Sequence, residues 1–218
     1  MQHPTSSIQP PTSKLGILGG TFDPPHIGHL IIAQEALTQL NLEQVLFAPS
    51  RQPPLKNHRT VTPIEHRLAM VRLAIATHPH FALSRVDVDR EGPTYTVDTM
   101  RLLHQQFGNS VEFYFIMGLD SLANISTWRA PEQLIRLCKL TVFNRPGSGV
   151  NLNELERQLP GLRERVILLP APALEIAASD LQRRVRAGQS IAHLVPDAVA
   201  AYIADHRLYR DESNSMAF

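Results

Sequence analysis

Apolar runs of strand length alternate with helical patterns along almost the whole chain. Lys14 to Leu18 reads as a buried strand, a Gly/Pro loop follows, and helical spacing then runs from Gly28 to Leu40. Val45 to Ala48 is a second strand, followed by the polar loop Pro49 to Val61. Thr62-Pro63-Ile64-Glu65 predicts a helix start, with Thr62 as the cap, Pro63 at the first helical position and Glu65 completing a capping box. That helix should run to Thr77. Phe81 to Ser84 and Val86 to Val88 read as extended, and a helix is predicted after Thr94 as far as Phe107. Val111 to Met117, Leu140 to Phe143 and Val166 to Leu169 complete the strands, and two late helices start near Ser179 and Pro196. This alternation predicts an α/β protein with a doubly wound, mostly parallel sheet and helices on both faces. Ligands of such sheets sit beyond the carboxyl ends of the strands, where the strand order reverses.

With 218 residues, the chain has the length of one substantial domain, expected over residues 14–210. A hydrophobic fraction of 43% can fill a core of that size. Met1 to Ser13, rich in Pro, Ser, Thr and Gln, reads as a disordered leader, and Asp211 to Phe218 as a flexible tail. The start of the chain has neither the basic residues nor the apolar stretch of a secretory signal, and no run of eighteen apolar residues could span a membrane. Cys138 is the only cysteine, which excludes an internal disulfide and fits a cytoplasmic setting. A net charge of +1 argues against wholesale binding of nucleic acid. Whether copies of the chain form a homo-oligomer is not legible.

The candidate chemistry lies in the first loop. Gly19 and Gly20 follow the first strand directly and let a ligand approach the backbone. Pro24 and Pro25 stiffen the loop, and His26 and His29 open the helix on one face with Gly28 between them. A helix N-terminus carries free N–H groups and partial positive charge, so it suits phosphate, and two imidazoles there can donate to phosphate oxygens. The turn is neither G-x-G-x-x-G nor a P-loop, and the histidines lack the H-E-x-x-H spacing of a zinc site.

GGTFDPPHIGHL, residues 19–30, resembles the signature of the bacterial nicotinate-nucleotide adenylyltransferases, within the H-x-G-H nucleotidyltransferase superfamily. The likeness continues in order through residues 49–56, 92–99 and 117–122, Trp128, residues 145–147 and residues 202–206, covering nearly everything from Lys14 to Tyr209. The resemblance implies a single-domain, Rossmann-like nucleotidyltransferase fold. It also implies transfer of an adenylyl group from ATP, with Mg2+ carried on the ATP phosphates, to nicotinate mononucleotide. His26 and His29 would be the catalytic pair on the ATP phosphates. Gly19, Gly20, Thr21, Phe22, Gly118, Asp120, Ser179 and Arg183 would complete the ATP site. Lys56, Thr94, Tyr95, Thr96, Trp128 and Arg145 would hold the acceptor: Lys56 its phosphate, the 94–96 segment its pyridine carboxylate through backbone N–H groups, and Trp128 its ring by stacking.

This sequence departs from the family pattern in two places. Leu55 stands where the family usually has a histidine before the lysine. The usual Ile-Ser-x-Ser/Thr-x-Ile/Leu-Arg segment reads Ile176-Ala177-Ala178-Ser179-Asp180-Leu181-Gln182, which drops one hydroxyl and the arginine. Ser179 is expected to cap the helix there with Gln182 completing the box, and ATP affinity to be weakened unless Arg183 or Arg184 reaches across to the phosphates. Two other readings stay open: the same reaction with nicotinamide mononucleotide, and a nucleotide-binding protein that has lost turnover.

Overall fold

In a computed structural model, residues 13–52, 61–108, 110–144, 149–170 and 176–210 are described. Most of the expected leader (residues 1–12), the expected tail (211–218), and the candidates Lys56 and Arg145 lie outside them. The elements in chain order are β1 (Ser13–Gly20), α1 (Ile27–Gln39), β2 (Gln44–Pro49), α2 (Ile64–Ile75), β3 (Phe81–Leu83), α3 (Thr96–Phe107), β4 (Val111–Gly118) and α4 (Leu119–Ala123). They continue with α5 (Pro131–Leu137), β5 (Lys139–Asn144), α6 (Leu152–Gln158), β6 (Val166–Pro170), α7 (Ala178–Arg186) and α8 (Asp197–Asp205).

The strands form one six-stranded sheet in the order β3-β2-β1-β4-β5-β6, with every described pairing parallel. This is the doubly wound order, and it reverses between β1 and β4. Alternation along each strand feeds two cores. Val45 and Phe47 of β2 and Tyr114 and Ile116 of β4 face α1, α2, α7 and α8. Leu46 and Ala48 of β2 and Phe113, Phe115 and Met117 of β4 face α3, α4, α5 and α6. A central strand covered on both faces must be apolar at every position, which is why these runs read as continuous rather than alternating. Ile17, Val45, Phe47, Leu140 and Val142 are each fully buried. Each such side chain contributes roughly 1.5–3 kcal/mol of transfer free energy.

Three local expectations are corrected. The helix α2 starts at Ile64 with Pro63 in extended geometry as its cap residue, and no side chain caps it. The backbone groups of Thr62 are drawn elsewhere, its N–H to Asp23 and its carbonyl oxygen to Arg67. Val86 to Val88 is a turn rather than a strand, because Val88 and Asp89 donate back to the carbonyl oxygen of Arg85. At α7 the cap residue is Ala177 and Ser179 makes no cap bond, while Gln182 spends its amide on Asp23.

Candidate active site

The reversal of strand order opens the sheet between the ends of β1 and β4, and the turn Thr21 to Pro25 carries the chain from β1 to the start of α1. His26 caps that helix. Its N–H donates to Nδ1 of His29 at 3.1 Å, and the His29 N–H donates to the His26 carbonyl oxygen at 2.9 Å. The two rings stack with centroids 3.7 Å apart and planes 28° from parallel. His29 also meets the edge of Phe22 at 5.0 Å between centroids. Gly28 is required by this packing. A Cβ there would lie 3.0 Å from His26 Nδ1 and 3.2 Å from its Cε1.

Burial lowers the His26 pKa to about 4. Burial and the nearby His26 also hold His29 well below its usual value. Both imidazoles are therefore neutral at pH 7. Because Nδ1 of His29 accepts a hydrogen bond, a neutral His29 carries its proton on Nε2, where it can donate. The buried Nδ1 of His26 has no hydrogen-bond partner among the described residues.

The turn is fixed by buried polar groups. The Asp23 carboxylate accepts from the Thr62 N–H at 3.1 Å and from the Tyr209 hydroxyl at 2.6 Å. The Asp23 carbonyl oxygen accepts from Gln182 Nε2 at 2.7 Å, which docks α7 against the turn. Phe22 points into the core at 2% exposure and packs tilted against Phe47, so its side chain supports the turn from below. Arg67, only 1% exposed, donates to the carbonyl oxygens of Thr21, Ser50, Arg51 and Thr62.

Beside the turn lies a cavity of about 420 Å³. The structure brings Gly19, Gly20, Thr21, Thr94, Tyr95, Thr96 and Trp128 together as its walls, with Ser50, Asp87, Phe115 and Arg129. Trp128 stands edge-on to Phe115 at 6.1 Å, and the Arg129 guanidinium lies over the Tyr95 ring at 4.7 Å. Asp87 accepts from the Thr99 hydroxyl at 2.8 Å and from Arg90 Nε at 3.1 Å, while Arg90 Nη1 donates to the Pro93 carbonyl oxygen at 3.0 Å. This brace fixes the 94–96 segment between the two ends of the network. Burial raises the Asp87 pKa against these partners. The Thr94 N–H already donates to the Gln52 carbonyl oxygen at 3.0 Å, so it is not free for a ligand; its buried hydroxyl has no partner among the described residues.

The remaining candidates are more dispersed. Gly118 ends β4 across the strand reversal from Gly20, and exposed Asp120 lies in the first turn of α4. Ser179 is exposed near the start of α7. Arg183 turns to Asp180 at 3.0 Å and Arg184 to the Ser190 carbonyl oxygen, so neither reaches toward the turn. Arg67, Asp87 and Arg129 were not singled out from the sequence. Arg67 left a signal: it occupies a core position of α2, three and four residues before buried Met70 and Val71.

A strand-reversal site with paired histidines at a helix start and an adjoining cavity suits a nucleotide, and a family model described as cytidylyltransferase-like matches residues 17–192, which puts the chain among the nucleotidyltransferases. The curated relatives narrow the class. Proteins named probable nicotinate-nucleotide adenylyltransferase are 50% identical in Thermomicrobium roseum, over 91% of this chain and 92% of that protein, and 45% identical in Roseiflexus sp., over 91% and 99%. The chain belongs to the nicotinate-nucleotide adenylyltransferase family. The fold is also that of the Plasmodium falciparum nicotinic acid mononucleotide adenylyltransferase complexed with NaAD, at TM-score 0.73 and 20% identity over 90% of this chain and 97% of that one. No helix among the described residues is long and apolar enough to cross a membrane.

Proposed function

We propose that this protein transfers the adenylyl group of ATP to nicotinate mononucleotide in the cytoplasm. An oxygen of the acceptor phosphate attacks the α-phosphorus of ATP. The bond from that phosphorus to the β-bridging oxygen breaks, and pyrophosphate leaves with the bond's electrons. The observation that carries this reading is the stacked, neutral histidine pair at the start of α1, beside a cavity of acceptor size.

In this reading the backbone of Gly19 to Thr21 and the start of α1 at Gly28 receive the triphosphate, the Ile27 and His29 N–H groups being already given to the carbonyl oxygens of Leu194 and His26. His29 Nε2–H donates to the α-phosphate as charge builds on its oxygens, without a protonated imidazole being needed. Gly118 and Asp120 lie at the place for the ribose, and Ser179 and Arg183 belong to the helix on the other side of the phosphates. Trp128 and the 94–96 segment take the pyridine ring. Arg129 gives the cavity mouth a cation, which favours the acceptor carrying a carboxylate over the amide. Among the described residues no group of three or more His, Cys, Asp or Glu side chains is placed to hold a metal ion. The donor groups of the turn suit phosphate oxygens rather than a cation, so magnesium would be held by the nucleotide's phosphates and water, supplying charge neutralisation. The catalytic assignment is tested by His29→Ala. Loss of a donor to developing charge costs on the order of 10² to 10³ in kcat. A variant with native thermal stability and near-parental turnover would refute it.

A further inference from the structure

The helix α2 carries a buried guanidinium that makes no ion pair within 4 Å among the described residues. Arg67 Nη1 donates to the carbonyl oxygens of Thr21 and Ser50, each at 2.8 Å, Nη2 to that of Arg51 at 3.2 Å, and Nε to that of Thr62 at 2.9 Å. These four carbonyls belong to different pieces of backbone. Thr21 lies in the phosphate turn, Ser50 and Arg51 follow β2, and Thr62 precedes α2.

The connection continues on the far side. Arg51 Nη1 donates to the Val88 carbonyl oxygen at 3.0 Å, and the Gln52 carbonyl oxygen accepts from the Thr94 N–H at 3.0 Å. Val88 lies within the Asp87–Arg90 brace of the cavity wall, and Thr94 follows Pro93, to which Arg90 is also bonded. One rigid fork thus joins the backbone of the triphosphate turn to the backbone that carries the acceptor wall. A lysine cannot replace it, because an ammonium has three donors on one atom and cannot reach four separated carbonyls.

We infer that Arg67 is a positioning residue that sets the register between the donor and acceptor halves of the site. The inference rests on the two-substrate reaction proposed above. In-line transfer depends on the acceptor oxygen lying along the axis of the breaking bond, and a misplacement of about 1 Å can cost on the order of 100-fold in rate. Each substrate alone touches only its own half, so loss of register should leave separate binding nearly intact. That separates positioning from a merely structural role, which would change the folded fraction and leave each folded molecule at parental speed.

The test uses the full chain. The native fractions of parent and Arg67→Lys are measured by near-ultraviolet circular dichroism. Dissociation constants for ATP with magnesium and for nicotinate mononucleotide are then measured separately, and kcat is expressed per native molecule. The inference predicts that kcat falls by about 30-fold or more while both dissociation constants stay within about threefold. A kcat per native molecule within threefold of the parent overturns it, as does a loss confined to the affinity of one substrate. Should Arg67→Lys fail to fold, Arg51→Met decides the matter, since it cuts the link to Val88 at an exposed side chain. It should lower kcat by about 10-fold with both affinities kept, and unchanged kcat overturns the inference. A parent without turnover would defeat the proposed reaction itself, a result distinct from any of these.

Discussion

Gly28→Ala separates the packing of the histidine pair from the stability of the fold. The new Cβ would meet His26 Nδ1 at 3.0 Å and Cε1 at 3.2 Å, with Ile176 Cβ at 4.0 Å on the other side. Comfortable carbon contacts begin at about 3.5 Å, so the His26 ring must give by roughly 0.3–0.5 Å. It has little room to do so, because it is 7% exposed and stacked on His29 at 3.7 Å. A displacement of this size moves the imidazoles relative to the phosphates and should lower kcat by about 10-fold or more. The backbone effect has the opposite sign. Gly28 lies in the first turn of α1, and alanine in a helix is better than glycine by up to about 1 kcal/mol. The clash with the His26 ring costs on the order of 1 kcal/mol or more, which offsets that gain, so the variant should melt within a few degrees of the parent while turning over slowly. Pyrophosphate release under saturating substrates and thermal unfolding followed by circular dichroism measure the two quantities. A kcat within twofold of the parent would show that the gap at Gly28 does not hold the pair.

Two further predictions follow from the same site. His26 titrates near 6.5 when unfolded and at about 4 when folded, so the unfolded chain takes up its proton first as the pH drops. The stability tied to the neutral ring is complete above about pH 6.5 and shrinks toward pH 4, by on the order of 3 kcal/mol. Asp87, raised by burial, works in the opposite sense. The readout is thus the difference between parent and His26→Asn in urea midpoints at pH 7.5 and pH 5; equal pH dependence in both refutes it. Gln182→Arg restores a cation beside the turn at the point where Gln182 now donates to Asp23. It should lower the ATP KM several-fold, the gain of a charged over a neutral hydrogen bond to phosphate, and an unchanged KM would count against a phosphate role for that face of α7.

Legibility in the sequence followed the physics of each element. The buried central strands announced themselves, because a strand covered on both faces is apolar throughout. The first loop stood out as a candidate site because glycines, prolines and paired histidines have few other reasons to cluster. The short helices α4, α5 and α6 were not foreseen, since five to seven residues give too little periodicity to distinguish a helix from a loop. Both expected capping boxes failed for one reason. Thr62 and Gln182 are recruited to Asp23 and Arg67, partners distant in the chain, and tertiary hydrogen bonds displaced local ones. The Asp87–Arg90–Thr99 brace was invisible for the same reason, as its members look like ordinary loop and helix polar residues until the fold brings them together.

The central claim is adenylyl transfer to the carboxylate-bearing acceptor. Its most direct test is to incubate the purified chain with ATP, magnesium and either nicotinate or nicotinamide mononucleotide, and to measure dinucleotide and pyrophosphate together. The structure predicts stoichiometric release of both products, with kcat/KM for nicotinate mononucleotide higher by about 10-fold or more, the difference between a charge-assisted and a neutral hydrogen bond. Equal or faster turnover with the amide would contradict the acceptor assignment, and ATP binding without product from either would contradict the enzyme.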